Sequence, residues 1–166
     1  MTDSSTPDPR GPESAGVSAV LAIVLATVGF FALSVFGLGA VSVATDADII
    51  AVPGPGPLPG VIGMLAAVAG FALTLGAALR RQHPSFLATI TIALVAGLAH
   101  LIGVWVAVLF GSGGVIIATA VAGDLVRGGA SAVLLIAAAI AGWSGIALRR
   151  TRSARPRWPW ERDDEE

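Results

Sequence analysis

Between Gly16 and Leu148 a single ionisable side chain, His100, lies deep inside an apolar stretch. An imidazole in that setting could relay a proton or hold a ligand, because ionisable groups within a membrane span are costly and mark function. A proton path also needs a second titratable group at similar depth. His100 falls 14 residues after Phe86, about 21 Å along a helix. Asp124 is expected at the outer interface, on the order of 15 Å from it. With no titratable neighbour in reach, the expectation is structural. The imidazole should be neutral, face the bundle and hydrogen-bond to a carbonyl or hydroxyl of another helix.

Gly142-Trp143-Ser144-Gly145 resembles the GxSG motif of rhomboid intramembrane proteases, whose serine pairs with a histidine on another span. Depth speaks against the pairing here. Ser144 is four residues from Leu148, about 6 Å from the inner interface, against about 21 Å for His100. A gap of about 15 Å forbids the hydrogen bond that such a dyad needs. The chain order is reversed, and four spans are fewer than the rhomboid core has. Asp124 and Arg127, three apart, share a helix face and could gate an outer mouth. The ordinary reading is a solvated pair where a helix leaves lipid, and it is preferred. Gly111-Ser112-Gly113-Gly114 carries no lysine and is no phosphate loop. The chain has no cysteine, so thiol chemistry and thiolate metal sites are excluded. No catalytic, cofactor or metal site is therefore expected, and the chain reads as a non-enzyme.

The elements that carry these residues are apolar throughout. Hydrophobic residues make up 55% of the 166, and charged residues 13%, about half the share of a soluble domain. Only Asp46, Asp48, Arg80, Arg81, Asp124 and Arg127 are charged between Gly16 and Leu148. A soluble helix needs a polar face, and these segments have none, so their solvent is lipid. The sequence predicts an all-α integral membrane protein, a four-transmembrane-helix bundle over residues 17–148. The spans are about 17–43, 61–79, 86–110 and 129–148, the last with an apolar approach from residue 115. Whether 115–128 extends the fourth helix or lies at the interface stays open. The first run follows an acidic tail and is too long for a signal-peptide core. Residues 1–16 should be a disordered tail. Pro53, Pro55, Pro57 and Pro59 predict a stiff extended loop with no helix over 52–60. Pro84 should sit near the first turn of the third helix.

Orientation follows from arginine, the only basic residue besides two histidines. An even number of spans puts both termini on one side. Arg10, Arg80, Arg81, Arg149, Arg150, Arg152, Arg155, Arg157 and Arg162 share that side, and Arg127 alone lies opposite. Positive residues stay in the cytoplasm, so both termini are expected there, in a bacterial plasma membrane. Trp105 and Trp143 fit the outer and inner aromatic belts. Small residues every four positions (Ala66, Gly70, Thr74; Thr89, Ala93, Gly97; Ala137, Ala141, Gly145) favour close helix packing.

The tail 149–166 places Arg149, Arg150, Arg152, Arg155 and Arg157 next to lipid, Trp158 and Trp160 after them, and acids at the end. Each arginine could gain about 1 kcal/mol from anionic lipid, with the tryptophans entering the headgroups. The same tryptophans could anchor a cytoplasmic partner. The basic cluster is short and ends in acid, so nucleic acid is no expected partner.

The loop Thr45–Gly60 after a first span, the Arg80–Phe86 connection and the Arg/Trp-rich end are similar to small four-span membrane proteins of actinobacteria, known as a domain of unknown function. That resemblance implies the fold and no activity. Small multidrug exporters need a membrane glutamate and quinone-reducing four-helix enzymes need paired cysteines, and this chain has neither. The expectation is an accessory or scaffold subunit of a bacterial envelope complex, bound to the bilayer and to a membrane-protein partner or further copies of itself. The alternative is a small oligomeric transporter or channel with His100 in the path.

Overall fold

A computed structural model describes residues 17–45, 56–80 and 85–150, with Ser112 and Gly113 as backbone only. Residues 1–16 and 151–166 of the expected tails, the loop residues 46–55 and the connection 81–84, Pro84 included, lie outside the described residues, while Arg149 and Arg150, expected in the tail, are the last residues of the final helix.

Among the described residues five α-helices follow in order: α1 Ala19–Thr45, α2 Leu58–Leu79, α3 Ala88–Val108, α4 Gly114–Arg127 and α5 Ala130–Arg150. A π-helical turn, Leu109–Gly113, joins α3 to α4. Four helices are long and apolar enough to cross a membrane: α1, α2, α3 with its extension to Gly111, and α5. The protein is a multi-pass membrane protein with an all-α fold. Helices suit lipid because each pairs its backbone groups within itself. Their hydroxyls follow the same economy. Ser34 Oγ donates to the Phe30 carbonyl at 2.8 Å and Thr74 Oγ1 to that of Gly70 at 2.7 Å.

Buried positions recur about every four residues, as ridge packing requires: Ala22, Ala26, Phe30 and Ser34 on α1, and Gly63, Ala67, Phe71 and Leu75 on α2. The main core joins these to Ile92 and Ala96 of α3 and Leu134, Ala138 and Ile146 of α5. Phe30 and Phe71 stack at its centre, with ring centroids 4.7 Å apart. The helices come together through glycine. A Cβ at Gly37 would meet Val133 Cγ1 at 2.5 Å, and one at Gly103 would lie 3.0 Å from the Gly63 Cα. Outward-facing Val20, Val28, Phe36, Leu73 and Leu98 are exposed to what must be lipid.

Two boundaries correct the sequence reading. Residues 58–60 are helical, although the alternating prolines predicted no helix over 52–60. Pro57 is the N-cap of α2 and Pro59 lies in its first turn. Proline there forfeits only an N–H that would have no partner in the helix anyway. The third span is regular from Ala88 rather than Phe86, since Phe86 and Leu87 form a turn whose Leu87 N–H donates to Ser85 Oγ at 3.2 Å.

Residues 114–127 form a helix of their own. Gly129, with φ +82°, breaks it from α5, and Gly114, with φ +63°, turns it back from the π-helical turn. Both angles are accessible to glycine and disfavoured for other residues. At 14 residues α4 measures about 21 Å, short of the roughly 30 Å of a span. It runs back along α3 instead. Ala118, Val121 and Leu125 pack on Val104 and Val108 in a second, smaller core. Trp105 Nε1 donates to Thr119 Oγ1 at 3.3 Å and fastens the pair.

Candidate functional site

α3 carries His100 into the seam with α2, where it is 5% exposed. A Cβ at Gly63 would lie 3.1 Å from the His100 carbonyl oxygen and 3.2 Å from its Cδ2, and would also meet Val104. The ring therefore occupies room that only a glycine leaves. The imidazole faces the bundle, but the expected hydrogen bond differs. Among the described residues, Nδ1 has no hydrogen-bond partner. Its neighbours Gly63 and Val104 carry no side-chain acceptor.

Ser144 is not brought to His100. It lies on α5 between Gly142, which faces Ile92, and Gly145, which faces Ala26 and Leu75. Its Oγ donates to the Ile140 carbonyl at 2.8 Å, within its own helix. His100 looks toward α2, two turns beyond Ile92. Among the described residues, no group of three or more His, Cys, Asp or Glu side chains could hold a metal ion.

Asp124 and Arg127 are paired on α4, Oδ1 to Nη1 at 3.9 Å, with side chains 41% and 80% exposed respectively. An exposed pair of this length contributes about 0–1 kcal/mol. Neighbouring Leu125 faces Val104 and Val108, so the pair rides on the solvent side of the α3–α4 contact.

The opposite end of the bundle gathers cations and aromatic rings. Arg149 Nη1 donates to the Val17 carbonyl at 3.2 Å. The Arg150 guanidinium lies 4.7 Å from the centroid of the Phe86 ring, and Phe86 stacks on Trp143 at 6.1 Å. A cation over an aromatic face is attracted by the ring quadrupole. Trp143 and Arg150 are seven apart and share a helix face, which was readable. That Phe86 would meet them was not, because it comes from another element. Arg152, Arg155, Arg157, Trp158 and Trp160 lie outside the described residues.

No curated protein and no solved structure matches this chain. One family model does, over residues 14–166, and its description is a family of unknown function, DUF6121. The match takes in every described helix, and this four-span chain belongs to that family.

Proposed function

We propose that the protein is a non-enzymatic accessory or scaffold subunit of a bacterial envelope complex, in the plasma membrane with both termini cytoplasmic. The observation that carries this reading is the hairpin of the α3 end, the π-helical turn and α4. Phe110 and Ile116 there are 84% and 86% exposed, with Val115 and Val126 exposed beside them. A helix too short to span, packed on α3 and bonded to it through Trp105, offers these apolar side chains outward. That is what a membrane-embedded partner subunit can grip. The arginine distribution supports the orientation. Purification of the full chain in mild detergent from its own host tests the reading. The protein should migrate with a larger partner, and Phe110→Ser with Ile116→Ser should release it while the variant still accumulates. A chain that runs alone from native membranes would sink the proposal.

One observation favours a second reading, a small oligomeric transporter or channel: His100 is buried and its Nδ1 lacks a partner among the described residues. A polar solute that reached His100 would meet that nitrogen. Loss of a growth or transport phenotype in a normally accumulating His100→Gln variant would put this reading first.

A further inference from the structure

α4 turns one face to α3 and leaves the other bare. Ala118, Val121 and Leu125 pack inward with Val104 and Val108. Ile116, Ala120, Gly123 and Arg127, spaced four, three and four apart, share the outward face. Ile116, Ala120 and Arg127 are exposed there, and Gly123 is half-buried. The glycine sets this face apart. A Cβ built at Gly97 or Gly103 would come within 2.9 or 3.0 Å of a neighbouring helix. One built at Gly123 would meet only the guanidinium of Arg127, on its own helix, at 3.2 Å. A glycine inside a helix lowers its stability, and in membrane proteins such positions let another backbone come close. Charge is the second feature. Asp124 and Arg127 put one charge of each sign on the exposed side, 3.9 Å apart, so the face complements itself.

We infer that this face of α4 docks a second copy of the chain. The inference rests on the reading of the hairpin as a grip, proposed above, and names what it holds along α4. Two copies inserted the same way are related by a two-fold axis along the membrane normal, so each residue lies at the same depth as its equivalent. Ala120 and Gly123 then face Ala120 and Gly123 of the second copy, and their size lets the two helices approach closely. Asp124 and Arg127 differ in height by about 4.5 Å, within the reach of an arginine side chain. Each Arg127 pairs with Asp124 of the second copy, and the symmetry makes the contact twice. A partner surface of a single sign would oppose one of the two charges, whereas a second copy satisfies both.

The chain has no cysteine, so single cysteines report the contact cleanly. In the full chain, purified alone and reconstituted at low density into liposomes, Ala120→Cys should give a disulfide-linked dimer on mild oxidation. Ile102→Cys on α3 and Val43→Cys on α1, both at exposed positions, should not. Charge is tested with two differently tagged chains, one carrying Asp124→Arg and the other Arg127→Asp. Neither can form the pair within itself. Each alone should dimerise at least about tenfold more weakly than the unaltered chain, because like charges then face each other. Mixed, they should co-purify as a heterodimer at close to the original affinity. No crosslink at Ala120→Cys, or equal crosslinking at all three positions, would overturn the inference. So would a mixture that associates no better than either variant alone. If the charge variants fail to accumulate, the comparison of the three cysteines still decides. A chain that stays monomeric here, yet migrates with a larger partner from its own host, overturns this inference and leaves the earlier reading standing.

Discussion

Arg149 Nη1 donates to the Val17 carbonyl oxygen at 3.2 Å, joining the end of α5 to the residues just ahead of α1. Residues 132 apart in sequence thereby meet at one end of the bundle. The first and last described residues are on the same side, as four crossings require.

From this contact and the arginine count, the topology is testable. Reporter fusions at Pro55 and after Gly113 should be active outside the cytoplasm, and a fusion at Gln82 inside it. A Pro55 fusion active only in the cytoplasm would reject the orientation.

His100 should be dispensable for folding. Its Nδ1 is buried without a partner among the described residues, so the side chain bears a desolvation cost with no hydrogen bond to offset it there. His100→Leu should leave stability within about 1 kcal/mol or raise it, and His100→Gln should lower it by no more than about 1–2 kcal/mol. Unfolding in mixed detergent micelles measures both. A loss of more than about 3 kcal/mol in His100→Leu would reveal a partner for the ring.

Glycines should divide into two classes. A Cβ at Gly103 would lie 3.0 Å from the Gly63 Cα and from Ala66 Cβ, and backbone cannot step aside. Gly103→Ala should therefore destabilise by about 1–3 kcal/mol. At Gly39 nothing lies within 4 Å, and Gly39→Ala should be neutral or stabilise by up to about 1 kcal/mol. Thermal unfolding of the two variants side by side checks the pair, and equal effects would contradict the α2–α3 contact.

The hairpin should loosen when the Trp105–Thr119 side-chain bond is removed. Thr119→Val deletes the acceptor of Trp105 Nε1 at nearly constant volume. The expected cost is about 0.5–1.5 kcal/mol, concentrated in residues 109–121. Hydrogen exchange should speed there and stay unchanged in α1 and α2. Uniformly faster exchange would mean that α4 is part of the main core.

The four spans were legible in the sequence because lipid imposes a crude rule. About twenty apolar residues must run without interruption, and every backbone group must pair within its own helix. The expected and observed limits of the first two spans differ by two or three residues at most, 17–43 against Ala19–Thr45 and 61–79 against Leu58–Leu79. The error at 58–60 came from treating four prolines alike. Pro57 and Pro59 stand where a helix starts, and the same residue that ends a helix can open one.

Which faces meet was settled only in three dimensions. In water an apolar stripe marks the buried side of a helix, but here Phe30 is fully buried and Phe36 is 77% exposed on the same helix. Lipid and protein interior are alike to both rings, so residue type along α1 does not tell its inner side from its outer one. The direction of His100 toward Gly63, the meeting of Phe86 with Arg150, and the return of α4 along α3 all depended on packing between elements distant in sequence. The chain's composition and charge order determined that it crosses the membrane four times. Close contact at a few glycines, and breaks at two others, decided how the four crossings and the short fifth helix fit together.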